Sequence, residues 1–559
     1  MKTFSPISIA YVSLFLLISL SGCNTGSSER TKDASEDLLT YVDPVIGTDG
    51  KGHTFPGATT PMGMIQLSPS DDSQEKSWCS GYHYSDNTLK GFAHNHFSGT
   101  GLAGLGDLLM MPLGGKLQIN PGTKEDPDSG YRSRFSHNQE KASPGYYSVL
   151  LPDNHVKVEL TASSRVGFHR YTFENEGLHS VIFDPANQVR GNVINSGMEI
   201  LSDTELRGYK HEKSPSTGNR KVYFYIKFTK PFLEAGVAIK DTILKDKKQV
   251  ESKWATAFVS FNGKAGEVIE AGVSISYVDY EGAKENYESE APGKTFDKVL
   301  ETTRQLWRNK ILKIEIEGAT LGQKRIFYTG MYHSFITPNI ISDVNGNYMA
   351  GGRKMARPAK DISNKKLNSP DLVQLSNIST WDTYRALHPL WTIIDQKADA
   401  HLVNVLASRY TQTDAGIGLW EALGYDNCCM PGYDGISVMA DAALKELPGV
   451  DQELVYKCIR KAAMSDGGSS PHYGKDNGVD DYFKLENQFQ GTTNTSGLEF
   501  GGFFASPNTS NEGFVTISMV LPNSPGDNAN LKRGDIFYAI DGQKLTNDNI
   551  NSLLNQDTY

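Results

Sequence analysis

GFAHNHFSGTGLAGLGD, residues 91–107, contains Gly99-Thr100-Gly101-Leu102-Ala103-Gly104, and the fold class turns on what those three glycines are for. Their spacing is that of the G-x-G-x-x-G loop that cradles a dinucleotide pyrophosphate, which would make the chain an α/β protein. A loop of that kind follows a buried strand and opens the helix of a βαβ unit. Here Gly99 follows His94-Asn95-His96-Phe97-Ser98, and what comes next is patterned as strand after strand. The glycines are therefore assigned to a loop whose backbone passes close to another surface or to a ligand.

The strand pattern is a period of two. Val156, Val158 and Leu160 are interleaved with Lys157 and Glu159, and Val166 and Phe168, VYFYIKF (222–228), ATAFVSF (255–261) and IEAGVSISYV (269–278) continue it. Alternating runs broken by Gly, Asn and Asp turns predict a large antiparallel β-sandwich over 38–290. Phe296, Leu300, Thr303 and Trp307 then share one helical face, and ILKIEIEG (311–318) is expected to be a strand returning to the sandwich. These two make up a linker helix and return strand over 291–318. Beyond 318 the period lengthens: 322–335, 398–410, 436–446 and 452–464 carry i, i+3, i+4 apolar spacing, which predicts helices over 319–464.

The chain of 559 residues opens Met1-Lys2, runs apolar from Ile7 to Leu20, and reaches Leu20-Ser21-Gly22-Cys23. The apolar run is too short to span a bilayer, and the ending resembles the lipobox of bacterial lipoproteins. Residues 1–23 are expected to be a lipoprotein signal with Cys23 acylated, and the polar stretch 24–37 a tether, placing the protein at the cell envelope on an outer-membrane lipid anchor. An ordinary signal peptide with an incidental cysteine is the alternative. Cys79, Cys428, Cys429 and Cys458 form neither a zinc spacing nor a disulfide framework. A net charge of −10 without a basic run argues against nucleic acid.

Three stretches mix Gly, Pro, aromatic and polar residues in place of alternation. They are YVDPVIGTDGKGHTFPGATTPMGMIQLSPSDD (41–72), SGYHYSDNTLKGFAHNHFSGTGLAGLGDLLMMP (80–112) and STWDTYRALHPLWTI (379–393). Aromatic faces beside carboxylates, Arg and His suit a sugar: a ring covers the apolar face of the pyranose and charged groups hydrogen-bond its hydroxyls. Tightly packed structural loops would have the same composition, which does not decide between the two.

These stretches resemble glycoside hydrolase family 92, the calcium-dependent exo-α-mannosidases of bacteria. The resemblance is carried by Tyr41-Val42-Asp43-Pro44, Gly52-His53-Thr54-Phe55-Pro56-Gly57, Gly81-Tyr82-His83-Tyr84 and His94 to Gly101. It continues in Tyr332-His333-Ser334-Phe335, in Trp381-Asp382-Thr383-Tyr384-Arg385-Ala386-Leu387-His388-Pro389 and in Trp420-Glu421 through Ala440-Asp441-Ala442. It implies a β-sandwich packed on an (α/α)6 barrel, and hydrolysis of terminal α-mannosides with inversion. One carboxyl would protonate the leaving oxygen and one carboxylate would activate water, while Ca2+ would hold sugar hydroxyls. Contacts to mannose-containing glycans are expected from Trp381, Asp382 and Arg385, and also from Phe55, Trp78, His94, His96 and Glu421. His94 and His96 lie two apart on one strand face, but no third ligand accompanies them, so a metal role is not indicated.

The family's Gly-Asn-Asp-Asp, Glu-Gly-Asn and Glu-Pro-Ser-His-His motifs are absent; the nearest string is Gly478-Val479-Asp480-Asp481. No residue is therefore assigned as catalytic acid or base. Family-like sequence is expected to stop near Met464, leaving an incomplete barrel and a junction over 465–493. A non-catalytic surface lipoprotein that binds mannosides or peptide termini is the alternative function. From 494 to 559, Gly497-Leu498-Glu499-Phe500, Leu531-Lys532-Arg533-Gly534-Asp535 and Ile540-Asp541-Gly542 resemble the PDZ module of tail-specific serine peptidases. That resemblance implies a partial PDZ-like domain whose Gly497–Phe500 loop takes a peptide C-terminus; a generic small β-domain is the other reading.

Overall fold

The structure, a computed structural model, describes residues 37–71, 79–350, 353–355, 373–412, 420–426, 430, 434–464, 498–505, 511–520, 524–540, 542–550 and 553. Cys23, Trp78, Cys428, Cys429, the 465–493 junction and Gly497 lie outside the described residues.

Two antiparallel sheets form the first part. One has eight strands, ordered 58–59, 66–70, 91–93, 109–114, 177–184, 255–263, 234–239 and 242–244. The other has nine, ordered 249–252, 192–200, 205–214, 218–228, 268–276, 166–173, 156–162, 146–151 and 140–143. The alternation that predicts them is the burial pattern: Val156, Val158 and Leu160 face the core and Lys157 faces solvent. Val158, Tyr171, Val181, Phe183, Phe224, Ile226, Phe258 and Val273 belong to the apolar layer so formed.

Helices α1 (Tyr280–Glu290), α2 (Phe296–Ile311), α3 (Leu321–His333), α4 (Thr380–Thr383), α5 (Leu387–Ile394), α6 (Gln396–Gln412), α7 (Asp434–Leu444) and α8 (Gln452–Met464) follow. Thr295 caps α2 by accepting from Lys298 N, and Thr320 with Gln323 closes a capping box on α3. Phe296, Val299, Thr303, Trp307 and Ile311 form the buried face of α2. Trp307 ties the two parts together, its indole N–H donating to Thr59 O at 2.7 Å. Among the described residues no helix is long and apolar enough to cross a membrane.

A second core holds Trp307, Tyr328, Tyr332, Phe335, Trp391, Leu402, Leu406, Met439 and Val455. The opening stretch of the chain is part of it. Tyr41 stacks on Tyr328 with ring centroids 5.8 Å apart, Asp43 N donates to Thr329 Oγ1 at 2.9 Å, and Phe55 is fully buried. Tyr41-Val42-Asp43 is thus a strap across α3, and Phe55 is a core side chain.

The predicted return strand over 311–318 is not one. Ile311 ends α2, and residues 312–318 run on without a ladder neighbour. Ile314 and Ile316 alternate with exposed Glu315 and Glu317 because the extended chain lays one side on the helical core. Ile316 N donates to the Tyr328 hydroxyl (3.2 Å) where a strand would donate to a neighbour. The span 38–290 also ends on α1, which is helical and packs on the nine-stranded sheet.

Asp343 fastens α1 down. Its carboxylate accepts from Ser276 Oγ (2.7 Å) and Asn286 Nδ2 (2.7 Å), and a Cβ on Gly282 would stand 2.1 Å from Asp343 Oδ2, so only glycine fits there. Burial pushes the Asp343 carboxyl up to about 7, against the opposing hydrogen bonds. An acid whose pKa is raised in the fold keeps its proton there while the unfolded chain releases one, so this group's contribution to stability falls as pH rises from about 4 to about 7. Asp343→Asn should therefore gain stability relative to the parent across that window, read as the difference in thermal midpoint between the two proteins at pH 4.5 and pH 7.5.

Candidate functional site

The glycine loop is held from below by charges without water around them. Asn95 Oδ1 accepts from Gly106 N (3.1 Å) and Asp107 N (2.9 Å), pinching the loop at its base. Asp107 meets Arg220 through two bonds of 2.7 and 3.0 Å and also pairs with Lys210; Glu212 pairs with Arg220 at 2.6 Å and with Lys210 at 2.7 Å. Burial alone would raise the Asp107 carboxyl, but Arg220 and Lys210 hold it well below the ordinary range. Gly104 passes so close to the next hairpin that a Cβ would stand 2.5 Å from Ser216 Oγ. The loop tip is tied to the motif before it, Gly99 N donating to His53 O at 2.7 Å.

The tip faces the helical part. Phe97, Ser98, Gly99 and Thr100 form one wall of a cleft of about 240 Å³; Asn377, Ser379, Asp382, Thr383, His388 and Trp420 are on the other. Phe97 meets Trp420 edge-on at 5.7 Å. Ser379 Oγ donates to Asp382 Oδ2, which leaves Oδ1 for a ligand hydroxyl. His388 is fixed between Asp399 Oδ1 (2.7 Å) and Thr383 Oγ1 (3.0 Å), so the turn carrying Asp382 is braced from within α5 and α6. The cleft offers a carboxylate, hydroxyls and an amide beside the nearly buried Trp420, which is the chemistry of polyol recognition.

Of the residues expected to touch a sugar, Asp382 lines this cleft. Trp381 and Arg385 lie on the same turn but pack on each other, with the guanidinium 4.9 Å from the indole and Arg385 Nε donating to Trp381 O. His94 is sealed in the sandwich: Nδ1 faces Leu108 O at 2.8 Å and Nε2 faces His169 Nε2 at 3.0 Å. His96 is equally buried, with Nδ1 on Gln66 O (2.8 Å). Burial pulls both imidazoles down to about 4, which keeps them neutral at pH 7. Phe55 is in the helical core.

Glu421 turns away from the cleft because neighbours on a strand face opposite sides, and Trp420 takes the cleft side. Its carboxylate is clamped by Arg409 (3.0 and 3.1 Å) and Ser376 Oγ (2.7 Å). Composition alone did not distinguish Phe97, Trp420, Asn377, Thr383 and His388, although all five stand in or beside the quoted motifs. Asp434, which opens α7, is another: burial raises its carboxyl, Arg385 opposes that and the nearby Asp382 charge adds to it. Among the described residues no group of three or more His, Cys, Asp or Glu converges as a metal site would require.

The family model for the glycosyl hydrolase family 92 N-terminal domain matches residues 41–276, and that for the family 92 catalytic domain matches 282–496. The chain belongs to glycosyl hydrolase family 92. The catalytic-domain match runs on past Met464, to residue 496. A family 92 α-mannosidase from Bacteroides thetaiotaomicron, solved with mannoimidazole, is similar with a TM-score of 0.72 and 33% identity over 78% of this chain and 56% of its own. An inverting family 92 mannosidase of the same organism shares the fold, with a TM-score of 0.68 and 24% identity over 81% of this chain and 59% of its own. An uncharacterised secreted glycosidase of Arthroderma benhamiae is 26% identical over 54% of this chain and 42% of its own length. The chain thus spans about half the length of these relatives.

The clamp on Glu421 has a measurable consequence. Glu421→Ala would leave Arg409 buried without its carboxylate and should cost about 3–5 kcal/mol. Glu421→Leu combined with Arg409→Met should recover most of that loss, and urea denaturation of the three proteins checks both.

Proposed function

We propose that this chain holds the terminal mannose of an α-mannoside in the cleft between the glycine loop and the Asp382 turn, as part of an exo-acting, inverting family 92 α-mannosidase. The observation that carries the reading is the meeting of two separate family motifs, residues 97–100 and 377–388, on one polar and aromatic cleft. Trp420, 6% exposed and backed by the buried Phe97, supplies an aromatic edge for the apolar side of the pyranose, and Asp382 Oδ1 accepts from a ring hydroxyl. Thr383 and Asn377 add polar groups at the same wall.

Inversion needs a protonated carboxyl and a carboxylate about 6.5–9.5 Å apart with water between. The sequence carries no Gly-Asn-Asp-Asp motif to provide the base, and Glu421 is occupied by Arg409. The proposal for this chain is accordingly binding without turnover. Calcium dependence is proposed on the family resemblance alone. Among the described residues no three His, Cys, Asp or Glu side chains converge as a cage for the ion. Export as a lipoprotein held to the membrane through Cys23 rests on the sequence pattern.

A second reading concerns the C-terminal unit. Leu498, Glu499 and Phe500, expected in a loop, instead open strand 498–505, which pairs along one edge with 513–520, and among the described residues no strand lies on its other edge. Its free edge is where a peptide C-terminus would add as a strand. A ten-residue peptide library with free or amidated C-termini tests this: preference for the free carboxylate supports it.

The mannoside reading is tested by titrating the full chain with methyl α-D-mannopyranoside, with and without calcium, alongside an assay for released mannose. Asp382→Asn removes one charge-assisted hydrogen bond, about 1.5–3 kcal/mol, and should weaken binding about 10- to 150-fold. Unchanged affinity in that variant, or steady release of mannose by the chain, would overturn the reading.

A further inference from the structure

A second cleft lies on the other side of the hairpin that carries Trp420. Its volume is about 190 Å³, between the turn joining strands 205–214 and 218–228 and the hairpin 420–426. Arg220 and Leu423 line it on the buried side, Tyr223 and Tyr425 are aromatic walls, and Asn219 and Lys221 are exposed at its mouth. Nothing in the catalytic reading uses it.

Two features show that the geometry here is imposed. Leu423 has φ +51° and Gly424 +77°, a left-handed pair that closes the hairpin between Ala422 and Tyr425. A leucine in that region is strained, and it is held by Leu423 N donating to Asn377 Oδ1 (3.3 Å) and Gly424 N to Ser376 Oγ (2.9 Å). The strain puts the Leu423 side chain inside while Tyr425 stays 41% exposed. Tyr425 then lies flat on Gly218, whose φ is +67° and where a Cβ would be 2.7 Å from the ring. Three left-handed backbone positions, Leu423 and Gly424 on one hairpin and Gly218 on the other, thus set one exposed tyrosine at the edge of a cleft.

The charges decide what chemistry fits. Arg220 at the base is already spent on Asp107, Glu212 and Thr217, and Lys210 balances the second carboxylate, so the floor asks for no counter-ion. The mouth has an ammonium and an amide, which disfavour a purely apolar guest. Aromatic walls, a neutral floor and polar groups at the rim together suit an uncharged polyol ring. We propose that this cleft is a second saccharide-binding site, taking a hexose unit of a glycan with Tyr425 as its stacking surface. The choice of mannose as probe rests on the function proposed above; the site itself does not.

The test separates the two sites. The full chain, Asp382→Asn, Tyr425→Ala and the double variant are each titrated with an α-linked mannobiose and followed by saturation-transfer NMR. Each single variant should retain transfer to the sugar and the double variant should lose it. On the Asp382→Asn background, Tyr425→Ala should weaken the remaining binding at least tenfold, and Tyr425→Trp should preserve it. Thermal midpoints confirm folding, which an exposed side chain at position 425 should barely affect. If Asp382→Asn alone abolishes all transfer, the second site is overturned and the first reading stands. If transfer is lost in Tyr425→Ala and unaffected in Asp382→Asn, the second site stands and the first reading falls. Absence of transfer in the parent overturns both.

Discussion

Four buried charges set the position of everything the two clefts share. Asp107 closes the glycine loop, Lys210 and Glu212 come from one strand and Arg220 from the next; the first three are fully buried and the Arg220 side chain is nearly so. Two positive and two negative groups cancel, with bidentate geometry at Asp107, and only such an arrangement makes the desolvation tolerable. The network adds less to stability than its distances suggest, because burying the ions opposes their attraction. Its effect is on geometry: the loop base cannot slide against strands 205–214 and 218–228 without exposing a bare charge. The tip at 97–100 therefore meets the helical part at a fixed place, and the turn at 214–218 meets Tyr425 at another.

The hairpin 420–426 is the counterpart on the helical side. It presents Trp420 to one cleft, Tyr425 to the other and Glu421 to Arg409 of α6. Alternation along a strand allows that division, and the left-handed pair at 423–424 completes it. A carboxylate next to a tryptophan along a strand is, for that same reason, on the opposite face from the tryptophan. Glu421 anchors the hairpin, and Trp420 lines the cleft beside Phe97.

This also marks where the sequence is informative. Period-two runs predict the sandwich because two stacked sheets bury alternate residues, and the four helical segments after 318 follow from apolar spacing in the same way. The glycine loop is legible as a loop through its context. Residues 311–318 mislead because a one-sided coil lying on a core has the alternation of a strand, and only pairing distinguishes them. Within the site, residue type identifies polar and aromatic stretches but not which way each side chain turns. His94 and His96 are expected at a sugar and are buried neutral groups, Phe55 is expected there too and fills the helical core, and Asp382 lines the cleft. Those distinctions depend on long-range packing, such as His94 against His169 or Glu421 against Arg409, which no local pattern encodes.

The cleft at Asp382 draws on residues 97–100, 337–338, 377–388, 402 and 420, all within the stretch that matches family 92. Phe97 on one side and Trp420 on the other both belong to the sandwich core, while Ile378 and Leu402 belong to the helical cluster. Holding a sugar in its ground state needs only those walls. Hydrolysis needs groups that interact more strongly with the transition state, an acid and a base set across the glycosidic bond. In this chain the walls of the cleft come from the loop at 97–100 and from residues 337–338, 377–379, 382–383, 387–388, 402 and 420, and a group in such a wall raises a rate only so far as it interacts more strongly with the transition state than with the ground state.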